Sequence, residues 1–117
     1  MSESEFQALA EAVLDAIETG MEHAGEAADV DLECSRSGNV LEIEFIDQGS
    51  KIIVNTQAAM QEIWVAARAG GFHYRMADDQ HWKDTRDGSE LFAALSRLAS
   101  AQAGAILHLK PGSGDPP

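Results

Sequence analysis

Basic residues are scarce in this sequence and absent from its first third. The 117 residues carry 20 Asp and Glu against 8 Lys and Arg, a formal charge of −12 at pH 7. Phosphate backbones and anionic lipid surfaces both need a basic footprint, so neither nucleic acid nor membrane is expected as a partner. Cysteine occurs once, at Cys34, which excludes an internal disulfide and a cysteine-built metal cage. No apolar run approaches the ~18 residues of a membrane span. The opening MSESEF is acidic, unlike a signal or transit peptide. A free-standing cytoplasmic domain is the expectation. Chemical signatures are missing as well: there is no H-E-x-x-H or H-x-x-E-H, no D-x-D-x-D-G calcium loop, no Ser/His/Asp arrangement and no glycine-rich phosphate loop. His23, His73, His81 and His108 are scattered and read as ordinary histidines, with His23 beside Glu22 and Glu26 the best exception.

What is present is acid in one place. Glu3, Glu5, Glu11, Asp15, Glu18, Glu22, Glu26, Asp29, Asp31 and Glu33 precede the first basic residue, Arg36. The other 82 residues hold ten acids and all eight basic residues, a net of −2. Residues 4–22 read as an amphipathic helix, with Phe6, Leu9, Ala10, Val13, Ile17 and Met21 at three- and four-residue steps. Ser4 with Gln7 supplies a capping box. Glu11, Asp15, Glu18 and Glu22 recur at steps of four, three and four. They stack as a ridge whose like charges repel by roughly 0.2–0.5 kcal/mol per pair, with no basic residue on the helix to offset them.

From Asp29 the period changes to two, and Val30, Leu32 and Cys34 alternate with Asp29, Asp31 and Glu33. Strands follow over residues 40–46, 51–57 and 61–68, with shorter ones over 72–76 and 81–83, separated by turns at Ser37-Gly38-Asn39, Asp47–Ser50 and Gly70-Gly71. Asp87 and Glu90 form a second capping box before a helix with Leu91, Ala94, Leu95 and Leu98 on its stripe, ending near Gly104. The fold class is α+β: a two-layer sandwich with two helices on one face of a five- to six-stranded antiparallel sheet. One domain spans residues 1–110, and the Pro/Gly-rich 111–117 read as a disordered tail.

Two constellations carry chemistry. If the first strand runs beside the first helix, Asp29, Asp31 and Glu33 extend the ridge of Glu11, Asp15, Glu18, Glu22 and Glu26. Carboxylate oxygens are hard ligands for Ca, Mg, Mn or iron. An exposed ridge gives many weak, poorly selective sites, and it equally fits docking on a basic protein surface. A solvated face that only maintains solubility is the bland reading. The second constellation is the outer sheet face, where Ile53, Asn55, Gln57, Glu62 and Trp64 lie opposite Ile52, Val54, Ile63 and Val65. An exposed Trp among amides is the composition of a docking patch, although a Trp covering a sheet edge under a loop has the same spacing. Cys34 shares the face of Val30 and Leu32 and reads as a core thiol.

The sequence resembles the bacterial frataxins of the CyaY type over residues 4–109. The stretches that carry the resemblance are SEFQALA, DVDLEC, GSKIIVNTQ, QEIWVA, AGGFHY, HWKDTRDGSELF and AQAG. The resemblance implies two helices on one face of an antiparallel sheet and a non-enzymatic iron-binding protein of iron–sulfur cluster assembly. It implies weak, reversible binding of Fe2+ or Fe3+ on the ridge, docking on the cysteine desulfurase, and regulation with iron delivery to the iron–sulfur scaffold protein. It further implies a molecule that is mainly a monomer, with iron-driven oligomers as a second state. Glu18, Glu22, Asp29, Asp31 and Glu33 match acidic family positions, and Asn55, Gln57 and Trp64 match its partner-contact residues. Ferroxidase-like detoxification or storage is the alternative, against which no buried Glu-x-x-His pair is present. His23 and Gly25 stand where close relatives often have Asp. Thr56, Ala59 and Glu62 replace a basic residue, a Pro and a Gln of the family motif.

Overall fold

The structure, a computed structural model, describes residues 1–110; the tail expected to be disordered, 111–117, lies outside them. The order is α1 (Glu3–Ala28), β1 (Leu32–Ser37), β2 (Val40–Phe45), β3 (Ser50–Gln57), β4 (Glu62–Ala67), β5 (Gly70–Met76), β6 (Trp82–Asp84) and α2 (Leu91–Ala103). The six strands form one sheet in chain order, each antiparallel to the next. The inward residues Leu41, Ile43, Phe45, Ile52, Val54, Ile63, Val65 and Tyr74 bury one face against the stripes of both helices, so the expected α+β sandwich is found. No helix among the described residues is long and apolar enough to cross a membrane.

Helix α1 is longer than its sequence pattern indicates. Ser2, not Ser4, is the N-cap: its hydroxyl accepts the Glu5 N–H at 3.1 Å, and the Glu5 carboxylate accepts the Ser2 N–H at 3.1 Å. At the other end the apolar period continues through Ala24 to Ala28, and Gly20 does not break it. The buried stripe is Phe6, Ala10, Leu14, Ile17, Met21 and Ala24, whereas Leu9 is 40% exposed. Steps of four, four, three, four and three follow one helical face, and Leu9 lies at its border. Near its start Phe6 meets Trp82 of β6 edge-on, ring centroids 6.0 Å apart at 75°. Near its end Gly25 packs on Leu32 of β1. The helix therefore crosses the sheet from β6 to the β1 edge.

Helix α2 is capped by Glu90 rather than Asp87. Its carboxylate accepts the N–H groups of Phe92 at 2.8 Å and Ala93 at 3.0 Å, and Asp87 instead accepts the Ser89 N–H in the preceding turn. Gln102 is buried on α2 with its amide fully used: it donates to Ser50 Oγ and the Lys51 carbonyl at 3.1 Å each and accepts the Arg68 N–H at 2.9 Å. Beyond Gly104 the chain runs back along α2, with the Leu107 and Leu109 N–H groups donating to Ser100 Oγ and Ser96 Oγ. This alternation buries Leu107 and Leu109 and leaves Ile106 out.

Gly25, which stands where close relatives often have Asp, is a buried contact and not part of the acidic ridge. A Cβ there would lie 2.7 Å from Leu32 Cδ2 and 3.2 Å from the Val30 carbonyl, whereas at Gly20 it would meet only Leu109, at 3.7 Å. Alanine normally stabilises a helix interior over glycine by about 1 kcal/mol. Gly20→Ala is expected to raise stability by up to about that amount. Gly25→Ala is expected to lower it by about 1–3 kcal/mol through overpacking. Urea unfolding of the two variants reads this directly, and shifts of the same sign contradict the packing.

Candidate functional site

The register of α1 on β1 follows from three contacts. Arg36 on β1 reaches Asp15 at 2.6 Å and Glu18 at 3.5 Å. Cys34, two residues earlier, lies in the field of Glu18 and Glu22. Leu32, two earlier again, packs on Gly25. Strand numbers fall as helix numbers rise, so the two elements run antiparallel along the sheet edge. This places the helix carboxylates over β1, as the sequence reading required, but with two changes.

The first change is that the ridge is not free of cations. Leu32, Cys34 and Arg36 share the helix-facing side of β1, and Arg36 lies half-buried between Asp15 and Glu18. The hydrogen bond that Arg36 donates to the Asp15 carboxylate, and then the charges of Asp15 and Glu18, hold the guanidinium above its ordinary pKa although burial works against it. The second change concerns the strand acids. Asp29 is not on a strand; it is the C-cap of α1 in the left-handed region at φ 57°, which Asp tolerates. Asp31 stands just before β1, its carbonyl accepting the Ile46 N–H. Glu33 is on β1 but directly opposite Glu44, on the sheet face away from the helices.

Glu11, Glu22, Glu26, Asp29, Asp31 and Glu33 are exposed, and among the described residues none is within ion-pair distance of a basic group. His23 and Glu26 line one shallow depression. Among the described residues no three His, Cys, Asp or Glu side chains converge on a point that could chelate one ion. An ion held here would take one or two carboxylates and complete its shell with water. Cys34 is half-buried, and burial together with Glu22 and Glu18 pushes its thiol up to about 12. At neutral pH it stays protonated and is neither a nucleophile nor a soft metal ligand.

The outer sheet face gathers a second group. Asn55, Trp64 and His73 lie side by side across β3, β4 and β5, and the next row is Gln57, Glu62 and Arg75. His73 stacks on Trp64 with centroids 4.3 Å apart at 7°. Gln57 Nε2 donates to Asn55 Oδ1 at 3.4 Å. Glu62 is only 3% exposed although it faces outward. It accepts the Trp64 indole N–H at 2.8 Å and the Arg75 guanidinium at 2.6 Å, with His73 Nδ1 at 3.5 Å. The indole hydrogen bond is the largest influence holding its carboxyl below the usual range. Burial opposes this, and Arg75 and His73 add to it. Sequence reasoning treated His73 as an ordinary histidine and did not reach Arg75. The alternation over 72–76 places both on one face, but only the β4–β5 register brings them to Glu62.

An α+β sandwich with a carboxylate-lined edge and an open aromatic face is the class of molecule these features define. A family model for the frataxin-like domain matches residues 1–105. The chain is 62% identical over 104 residues to the iron-sulfur cluster assembly protein CyaY of Janthinobacterium sp. (strain Marseille), covering 89% of this chain and 92% of that protein. Its fold superposes on frataxin from Psychromonas ingrahamii with a TM-score of 0.81 and 29% identity, over 94% of this chain and 99% of that one. It also superposes on trimeric frataxin from the yeast Saccharomyces cerevisiae complexed with ferrous iron, with a TM-score of 0.69 and 23% identity over 81% and 85% of the two chains, a likeness of fold alone. The chain belongs to the frataxin-like family.

A carboxyl whose folded pKa is lowered contributes stability above its unfolded value and loses it as pH falls through the folded one. Glu62→Gln is therefore expected to cost about 1–3 kcal/mol at pH 7, where a charged hydrogen-bond acceptor is lost. That gap should narrow only as pH falls below the ordinary carboxylate range, where the parent's lowered carboxyl finally protonates. Denaturant unfolding across this range checks it, and a gap that stays constant contradicts the assignment.

Proposed function

We propose that this chain is a non-enzymatic adaptor of iron–sulfur cluster assembly, the process named for its relatives. In this reading iron is cargo, held weakly and reversibly as Fe2+ or Fe3+ by Glu11, Asp15, Glu18, Glu22, Glu26, Asp29, Asp31 and Glu33. The observation that carries the proposal is that Glu11, Glu22, Glu26, Asp29, Asp31 and Glu33 are exposed and, among the described residues, beyond ion-pair distance of any basic group, while Asp15 and Glu18 share Arg36. Their oxygens suit a hard cation, and their spread suits release more than storage. Ferroxidation and mineral storage need carboxylates that bridge ions, and the spread of these side chains favours the adaptor.

The same carboxylates form a field that steers toward a basic protein surface. Glu18, Glu22 and Asp31 are assigned to docking on the cysteine desulfurase. Asn55, Gln57 and Trp64 on the outer face are assigned to contact with the scaffold protein. Iron and desulfurase then share one ridge, so occupancy by one opposes the other. The working state is a monomer, with oligomers formed only when iron bridges ridges of different copies.

Reversing the charge of Glu18, Glu22 and Asp31 together to Lys is expected to weaken capture by the desulfurase by roughly tenfold or more. The rate of cluster formation by a desulfurase–scaffold pair should lose its response to the protein. Capture and rate both unchanged would sink the docking role.

A further inference from the structure

The group around Trp64 goes beyond a contact residue on an open sheet. An indole on a sheet face has two torsions to satisfy and, left alone, samples several orientations. Here two side chains of the same face, Glu62 and His73, hold it. Its N–H is held by Glu62 at 2.8 Å, and its ring lies flat against His73 at 4.3 Å and 7°. Glu62 is in turn held by Arg75 at 2.6 Å. The Arg75 side chain is 59% exposed, so it closes the carboxylate off from water while its own outer edge remains solvated.

The geometry points to Glu62 as a positioning residue for Trp64: with Arg75 and His73 it fixes the indole in one orientation, making the outer face a preformed aromatic platform. Charge-assisted hydrogen bonds are the stronger kind, and a carboxylate shielded from water holds its donors more tightly than an exposed one. The groups facing Glu62 are Gln57 from β3, Trp64 on its own strand, and His73 and Arg75 from β5, with Lys83 of β6 across from Arg75. Lys83 is itself paired with Asp79 at 3.3 Å, and Glu62 and Arg75 cancel each other. The platform thus carries no net charge of its own in a chain of −12. It suits a partner surface of apolar and amide groups rather than a basic one.

A rigid aromatic anchor loses less freedom on binding than a mobile one, which is how orientation becomes affinity. That consequence rests on the reading of Trp64 as a scaffold contact, whereas the orientation itself belongs to the free chain. The test follows the two indole N–H signals in a 15N-labelled sample, with Trp82, buried in the core, as the internal reference for folding. Glu62→Ala is expected to speed solvent exchange of the Trp64 indole proton roughly tenfold to a hundredfold and to shift its resonance, with Trp82 unmoved. Glu62→Gln keeps the side-chain shape and guards against misfolding; it should move the Trp64 signal in the same direction by less. In the parent, acidification should shift the Trp64 signal with the Glu62 carboxyl while Trp82 stays in place. A Trp64 signal unmoved in Glu62→Gln overturns the proposal. Scaffold affinity of Trp64→Ala separates the two readings, since unchanged affinity overturns the contact and leaves orientation to stand on the indole signal.

Discussion

Seating α1 antiparallel on β1 is the constraint on which the rest depends. The helix carries Glu11, Asp15, Glu18, Glu22 and Glu26 with no basic residue of its own, and adjacent like charges cost roughly 0.2–0.5 kcal/mol per pair. Burial of Phe6, Leu14, Ile17 and Met21, each at most 1% exposed, contributes about 1.5–3 kcal/mol per side chain. The apolar stripe therefore wins by a wide margin and holds the carboxylates aligned against their repulsion. Gly25 on Leu32 sets how closely helix and strand approach, and Arg36 draws Asp15 and Glu18 down to the sheet. The acids left free are those toward the end of α1 and the start of β1, with Glu11 apart near the helix start.

Two surfaces of opposite physical character result from this arrangement. The α1–β1 edge is exposed, negative and diffuse, so its interactions are long-ranged, weakened by salt and open to exchange. The outer sheet face around Trp64 is neutral, compact and internally hydrogen-bonded, so contact there depends on shape and desolvation. In the proposed reading the chain attracts a partner with one face and is held in register by the other. Because the β1 edge borders both, Glu33 belongs to the outer face while Cys34 and Arg36 belong to the helix side.

Much of the fold was legible because local periods decide it. The six strands, the sandwich and the end of α2 at Gly104 follow from alternation, turns and a left-handed glycine. The places that were not legible are those where distant residues compete. The helix caps are the exception, decided within a few residues: Ser2 with Glu5 forms the capping box in place of Ser4 with Gln7, and Glu90 in place of Asp87 accepts the Phe92 and Ala93 N–H groups. Asp29 alternates like a strand residue, yet Gly25 lets the chain turn so tightly that Asp29 ends the helix. At the site, the composition of the ridge was readable, but its partial neutralisation by Arg36 depends on helix–strand register. Glu62 reads as an exposed outward carboxylate, and only the pairing of β4 with β5 brings Arg75 and His73 over it.

In the proposed reading one carboxylate edge serves two ligands, iron and the basic surface of a desulfurase. The affinity of the chain for the desulfurase, measured at fixed ionic strength while ferrous iron is raised, tests this most directly. Sharing of the edge predicts that affinity falls as iron occupies Glu22, Glu26, Asp29 and Asp31. An affinity that stays constant while iron is shown to be bound at those residues would contradict it.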